Sequence, residues 1–210
     1  MTPKRLPKPY YQDEWSTIYC GNCRELLPHL GKFDLLLTDP PYGHGKRWSG
    51  GTWGAAAMYK EAMAWDSSCV EPGTISAAVE SCEKAIVWGG NYYSLPPSRC
   101  WLVWEKTSRM PTLADCELAW TNMEKPAKSF SEDRNPDGKR VHPTQKPCDL
   151  MGWCICQAFP IQTILDPFMG SGTTLVAAKL RGIKAVGIEI EEKYCAMAVE
   201  RLRQGVLIPV

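Results

Sequence analysis

The stretch TILDPFMGSGTTLVAAKLRG, residues 163–182, decides the fold. A short apolar run ends in a carboxylate, Asp166, and a turn carrying Gly170 and Gly172 follows. A helical pattern then opens near Thr173 and stops before Gly182, a residue suited to the position just past a helix end. Strand, glycine turn and helix together let backbone approach a ligand closely and present the positive end of a helix to it. No lysine follows the second glycine, so this is not a phosphate loop; Leu175 takes the place of the third glycine of the dinucleotide fingerprint. Something smaller than a dinucleotide fits. One strand-helix unit later AVGIEIEEKY, residues 185–194, ends its strand at Glu189. An acid about 20 residues beyond such a glycine turn can accept both hydroxyl protons of a ribose. A tight turn or a surface glutamate would explain either feature alone. Together they describe an adenosine site.

Working outward, seven apolar runs read as strands: Thr17–Cys20, Asp34–Asp39, Ala85–Gly89, Trp101–Lys106, Cys116–Thr121, Thr163–Asp166 and Ala185–Glu189. Most are continuous rather than alternating, as in a parallel sheet covered by helices on both faces. Helical patterns lie at Ser76–Cys82 behind Thr74 as N-cap, at Asp149–Phe159 with a stripe of Leu150, Met151, Cys154, Ile155 and Ala158, and at Glu192–Leu202. The expected fold class is α/β, a mainly parallel seven-stranded sheet in a single domain spanning residues 1–210. Residues 43–66 and 123–140 read as long loops at strand ends, and such loops are usually functional. Trp88, Trp101, Trp104 and Trp120 fall in strands and are expected in the core.

With 210 residues, 44% of them hydrophobic, the chain can bury a sizeable core, and its net charge of +1 neither favours nor excludes a polyanionic partner. No leader and no apolar run near the ~18 residues that would span a bilayer is visible, so a cytoplasmic enzyme is expected, with no membrane contact. Cys20 and Cys23 form a lone CxxC, and Cys154 and Cys156 a CxC. Zinc needs two such pairs or added histidines, so no metal is expected and the cysteines read as reduced, mostly apolar residues.

The remaining signal is DLLLTDPPYGHGKRW, residues 34–48, where a buried strand runs into an acid, two prolines and a tyrosine. In isolation Asp39-Pro40-Pro41 would simply end a strand and turn the chain. TDPPY together with DPFMGSGTT, and with WGGNYY (88–93), WLVWEK (101–106) and VHPTQKP (141–147) in matching order, resembles the S-adenosylmethionine-dependent amino-methyltransferases of DNA, which modify N6 of adenine or N4 of cytosine. The resemblance covers most of the chain. Because the DPPY element precedes the cofactor loop, the order is that of the permuted group called the β class. The resemblance implies a Rossmann-like methyltransferase fold in which the strand beside the cofactor's adenine comes from STIYCGNCRELLPHL, residues 16–30, directly before the catalytic strand.

It also implies residue roles. Asp39 and the carbonyl of Pro40 would each accept one N–H of the target amine, freeing its lone pair for in-line displacement at the sulfonium methyl. Pro40 and Pro41 lock φ so that these acceptors are held without further ordering, and Tyr42 offers a face for a base flipped out of the duplex. The cofactor S-adenosyl-L-methionine is expected at Asn22, Cys23, Asp39, His142, Thr144, Lys146, Asp166, Phe168, Gly170, Ser171, Gly172, Thr173 and Glu189. Among these, Asn22 stands where the family usually has an aspartate facing the adenine amine, and Lys146 is placed to meet the methionine carboxylate. HPTQKP reads equally well as a turn into the following helix. The acidic DPPY form is typical of adenine enzymes, whereas serine in place of Asp39 is commoner in cytosine-N4 ones. Amide and RNA methyltransferases with related motifs, and a catalytically silent binding subunit, are the rival readings.

Double-stranded DNA is the expected partner, with Lys46, Arg47 and Trp48 as contacts. These cations are interleaved with Trp48 and Trp53 in a loop with no acid before Glu61. A solvated loop is the competing reading. The interval 123–140 is too short for a separate recognition domain, so recognition rests on the 43–66 loop, helped by a second subunit in a homodimer, or the target is short. Replacing Lys46 and Arg47 by alanine should weaken binding to all duplexes alike and lower the salt slope by about one for each phosphate that is no longer neutralised. Titrations of specific and random duplexes at several salt concentrations check this.

Overall fold

Strands form where the apolar runs are continuous, because a strand sandwiched between helices offers neither face to water. The computed structural model describes residues 6–43, 70–109, 114–134 and 145–204. In chain order the strands are β1 (Tyr11–Gln12), β2 (Ser16–Cys20), β3 (Phe33–Thr38), β4 (Cys82–Trp88), β5 (Trp101–Lys106), β6 (Cys116–Thr121), β7 (Lys128–Glu132), β8 (Thr163–Asp166) and β9 (Lys184–Glu189). The helices are α1 (Cys23–Leu26), α2 (Pro72–Glu80), α3 (Cys148–Ala158), α4 (Thr173–Lys179) and α5 (Glu192–Arg203). The strands form one sheet in the order β1-β2-β9-β8-β3-β4-β6-β5-β7. From β2 to β4 every pairing is parallel; β6 runs antiparallel to both β4 and β5, β7 is parallel to β5, and β1 is antiparallel to β2.

The leucine run of β3 shows how the pattern works. Leu35, Leu36 and Leu37 are all fully buried, yet successive side chains of a strand point to opposite faces. Leu35 and Leu37 join a core with Leu150 and Ile155 of α3 and with Cys195 and Val199 of α5. Leu36 joins the other core, with Ile75 and Ala78 of α2 and Leu26 of α1.

The α/β expectation with a mainly parallel sheet holds, and β2 lies beside β9, where the permuted order requires it. Among the described residues the sheet has nine strands where seven are expected. β1 is two residues long, too short to leave a pattern. β7 falls in the stretch read as a polar loop, because an edge strand need bury little: KSFSE packs only Phe130, whose ring centroid is 5.3 Å from that of Trp153. The helix expected over 76–82 spans 72–80 instead, since Pro72 at its first turn starts it and Cys82 already belongs to β4. β3 stops at Thr38, one residue earlier than expected, because the residue before Pro40 leaves the ladder. Trp88, Trp104 and Trp120 are buried and Trp101 is half-buried, as expected for core. Nine described cysteines are free thiols, and among the described residues no group of three His, Cys, Asp or Glu is arranged to hold a metal ion. No helix among the described residues is long and apolar enough to cross a membrane.

After β4 the chain turns through Gly89 into a 3-10 turn, Gly90–Tyr92, packed on β6. A Cβ on Gly90 would lie 2.3 Å from Trp120 Cβ and 3.0 Å from its backbone nitrogen, so the turn would have to lift off the sheet. Gly90→Ala is therefore expected to destabilise the fold by roughly 1–3 kcal/mol. Chemical denaturation should show a lowered midpoint at unchanged slope.

Candidate active site

The sheet reverses its winding between β8 and β3: β9 and β2 extend it one way, β4 the other. Ligands of open α/β sheets bind in the crevice at the carboxyl ends of strands at such a switch point. Here the two strand ends are tied together, Thr38 Oγ1 donating to Asp166 Oδ1 at 2.8 Å, while Phe168 N donates to the same oxygen at 3.2 Å. Burial pushes Asp166 up to about 6, against the opposing hydrogen bonds from Thr174, Thr38 and Phe168 N.

The glycine turn is fixed onto β9. Met169 N donates to Ile188 O at 3.1 Å. Gly170 N donates to Glu189 Oε2 at 3.0 Å, and Glu191 N to Oε1 at 2.9 Å. Both carboxylate oxygens are thus held by backbone amides, and burial raises the Glu189 pKa. Gly172 has φ +78°, and a Cβ there would meet Ala198 Cβ at 2.7 Å, so both backbone conformation and space demand glycine. From α5, Arg201 Nη1 donates to Ser171 O at 2.7 Å and to Thr173 Oγ1 at 3.0 Å, holding the turn from behind.

A cavity of about 230 Å³ opens over this turn, with Glu189, Asp39 and Lys146 in its lining. Of the expected cofactor residues, Asn22, Cys23, Asp39, Lys146, Asp166, Phe168, Gly170, Ser171, Thr173 and Glu189 line it together. Gly172 serves the turn from its other side, where it faces Ala198 of α5. Asn22 has a structural duty as well: its Oδ1 accepts from Arg24 N at 3.0 Å and caps α1. Burial pushes the Cys23 thiol up to about 11, so it stays protonated. His142 and Thr144 lie outside the described residues, as do Lys46, Arg47, Trp48 and Trp53.

Asp39 follows β3 with both oxygens engaged. Oδ1 accepts the Tyr42 hydroxyl proton, and Lys146 Nζ donates to Oδ2 at 2.5 Å. Tyr93, just after the 3-10 turn, donates its hydroxyl proton to Pro41 O and so anchors the proline pair. Tyr42 is packed closely: a Cβ on Gly89, at φ +64°, would stand 2.1 Å from its ring, and the Tyr92 ring centroid lies 5.1 Å from its own. Tyr92 is 48% exposed and supplies the open aromatic surface at this end. The family resemblance puts Lys146 at the methionine end of the cofactor. Lys146 lines the cavity, and its ammonium sits between Asp39 and Glu117, 3.1 Å from Glu117 Oε2, while Lys106 Nζ holds the other Glu117 oxygen at 2.5 Å. Burial raises the Asp39 pKa and Lys146 opposes it; burial works against the Lys146 ammonium, yet the two carboxylates raise its pKa.

Sequence reasoning missed Tyr92, Tyr93, Glu117 and Lys106. The two tyrosines were within reach in the WGGNYY block. Glu117 had only one weak mark, a lone acid inside an apolar strand run.

A family model described as "DNA methylase" matches residues 87–200, more than half of the chain. The Type II methyltransferase M.ScaI of Streptomyces caespitosus is 26% identical, over 95% of this chain and 85% of its own length. M.HinfI of Haemophilus influenzae is 43% identical over 72 residues, which are 34% of this chain and 20% of that protein. Among solved structures, the M1.HpyAVI–SAM complex superposes with a TM-score of 0.59 at 22% identity, covering 90% of this chain and 99% of the other. The PvuII cytosine-N4-specific DNA methyltransferase superposes with a TM-score of 0.63 at 17% identity, covering 95% and 90%. At these identities the structural likenesses establish the fold.

The buried Asp166 carboxyl has a pH signature. Its folded pKa of about 6 lies above the ordinary 3.8, so between those values the folded state binds the extra proton. Its contribution to stability therefore falls as pH rises from about 4 to 6 and is flat above. Asp166→Asn keeps the acceptor oxygen and removes the titration. Wild-type stability relative to this variant should decline across that window by up to about 3 kcal/mol, as measured by denaturant unfolding at each pH.

Proposed function

This chain belongs to the N6/N4 DNA methylase family, and from that premise we propose that it methylates N6 of adenine in double-stranded DNA, using S-adenosylmethionine. The observation that carries the reading is the pairing of two anchored acids about one crevice: Glu189, held by the glycine turn, and Asp39, held by Tyr42 and Lys146. S-adenosylmethionine, when bound, supplies an activated methyl group. The residues present fit it: Glu189 would hold the ribose hydroxyls, Phe168 and the exposed Ile190 offer apolar surface to the adenine, and Asn22 has an amide beside them.

At the other end Asp39 and the Pro40 carbonyl would accept the two N–H bonds of the target amine. The nitrogen that gains a methyl group must lose a proton, and the Asp39 carboxylate is the acceptor beside it. Tyr42 stays a proton donor, because burial and Asp39 raise its pKa well above the ordinary value. It therefore fixes the carboxylate rather than competing for the proton. Catalysis is by positioning and electrostatics, without a covalent nucleophile. For a flipped base, Tyr42 and the exposed Tyr92, whose ring centroids are 5.1 Å apart, would offer aromatic surface.

The choice of adenine rests on the acidic first position of the DPPY element. Duplex contact through Lys46, Arg47 and Trp48, and a homodimer that completes recognition, are proposals from the sequence. Asp39→Ala is expected to cut single-turnover methyl transfer to DNA by at least about a thousandfold while S-adenosylmethionine affinity changes little. Glu189→Ala should instead weaken that affinity at least about tenfold, through removal of a charged hydrogen-bond acceptor. Calorimetry and transfer of labelled methyl groups separate the two. Substantial transfer by the Asp39 variant would remove its assigned role, and unchanged affinity in the Glu189 variant would remove the ribose assignment.

A further inference from the structure

Four charged side chains from separate parts of the sequence form one cluster that starts at Asp39: Asp39 after β3, Lys146 before α3, Glu117 on β6 and Lys106 at the end of β5. They alternate in sign and their formal charges cancel. The two ammonium groups are the deeper members, with side chains 6% and 7% exposed, against 18% for Asp39 and 26% for Glu117. Their ammonium heads lie among aromatic rings: Lys106 Nζ is 5.1 Å from the Trp104 ring centre, and Lys146 Nζ is 5.6 Å from that of Tyr42 and 5.7 Å from that of Trp88. None of the motifs from which the function was read contains Glu117.

We propose that Glu117 is a positioning residue of the methyl-transfer reaction, sharing Lys146 with Asp39 and so setting how much of the ammonium's charge, and which of its hydrogen bonds, Asp39 receives. The inference rests on the assignment of Asp39 given above. Asp39 must be anionic to accept an amine N–H, yet not so tightly paired that its lone pairs are taken. With Asp39 as its sole partner, the buried ammonium would be drawn fully onto that carboxylate. Glu117 draws it the other way, and Lys106 in turn limits that pull by engaging the second Glu117 oxygen at 2.5 Å. Burial works to raise Glu117, but Lys146 and Lys106 hold it down to about 2, so it remains an anion throughout the working range.

The groups facing Asp39 set the sign of the test. Lys146 favours its anion; Glu117 on β6 and Asp166 on β8 disfavour it; Tyr42 favours it by hydrogen bonding, and Tyr93 lies beyond Tyr42. Glu117→Gln removes one repelling anion and leaves Lys146 to Asp39. Lys146→Met removes the attracting cation. With carbon-13-labelled aspartate, and the Asp39 resonance assigned by its disappearance in Asp39→Asn, NMR titration of the full chain should show the Asp39 midpoint falling by about one pH unit in Glu117→Gln and rising by at least as much in Lys146→Met. The acid limb of single-turnover methyl transfer should move the same way, with a plateau reduced about tenfold in Glu117→Gln as its Asp39 becomes a weaker acceptor. In Glu117→Gln, whose side chain is outside the cavity lining, S-adenosylmethionine affinity should stay within about twofold, which a merely structural role would not guarantee. Lys106→Met serves as a second variant should Glu117→Gln unfold: it leaves Glu117 to Lys146 alone and should raise the Asp39 midpoint. An Asp39 titration unmoved by either substitution, or moved the same way by Glu117→Gln and Lys146→Met, overturns the proposal. A wild-type protein that transfers no methyl group to DNA would overturn the functional reading instead, and the NMR titration would still decide whether Glu117 sets the charge state of Asp39.

Discussion

An ammonium group taken out of water must find anions, and the site is organised around that demand. Lys146 is 6% exposed, and the acids it reaches are Asp39 and Glu117. Removing either would leave a buried charge partly uncompensated, a far larger penalty than the net gain of making the pair. The segment before α3, the end of β3 and the start of β6 are therefore held to one geometry by electrostatics rather than by packing alone. Such a cluster adds little to stability; its value is in specifying where a carboxylate sits and what charge it carries.

The same crevice depends on a second tie, between strands. β8 and β3 lie where the winding of the sheet reverses, and the Thr38–Asp166 hydrogen bond spans their carboxyl ends. One side of the tie leads into the glycine turn, whose amide holds Glu189. The other leads into Asp39 and the two prolines, with the Tyr93 hydroxyl bonded to Pro41 O. The acid that would hold the cofactor and the acid that would act on the base are thus registered to each other through two adjacent strands, and backbone rather than long side chains sets the spacing.

What was legible in the sequence is what local backbone demands. Gly170, Gly172 and Asp39-Pro40-Pro41 announce themselves because few residues tolerate those conformations, and Glu189 because the strand-to-strand spacing is fixed. Continuous apolar runs marked the interior strands, and with the family resemblance the permuted neighbours β2 and β9. The edges were not legible: β1 is too short for any period, and β7 buries one aromatic ring among polar residues. Nor was the partnership of Lys146. Glu117 and Lys106 come from an antiparallel strand pair distant in sequence, and the pairing of Trp104 with Glu117 across β5 and β6 leaves no trace in local composition. Asp39 and Lys146 each stood out singly, but the place of the cation between two acids is set by tertiary structure.

The anchored Asp39 is proposed to act on an exocyclic amine of DNA, and on adenine in particular. Nucleoside mass spectrometry of a mixed-sequence duplex, after incubation with the purified protein and S-adenosylmethionine, tests it most directly. N6-methyladenine, formed only with the cofactor present, is the expected product. N4-methylcytosine in its place would contradict the choice of base, and a duplex with neither product would contradict the reading of the site as a whole.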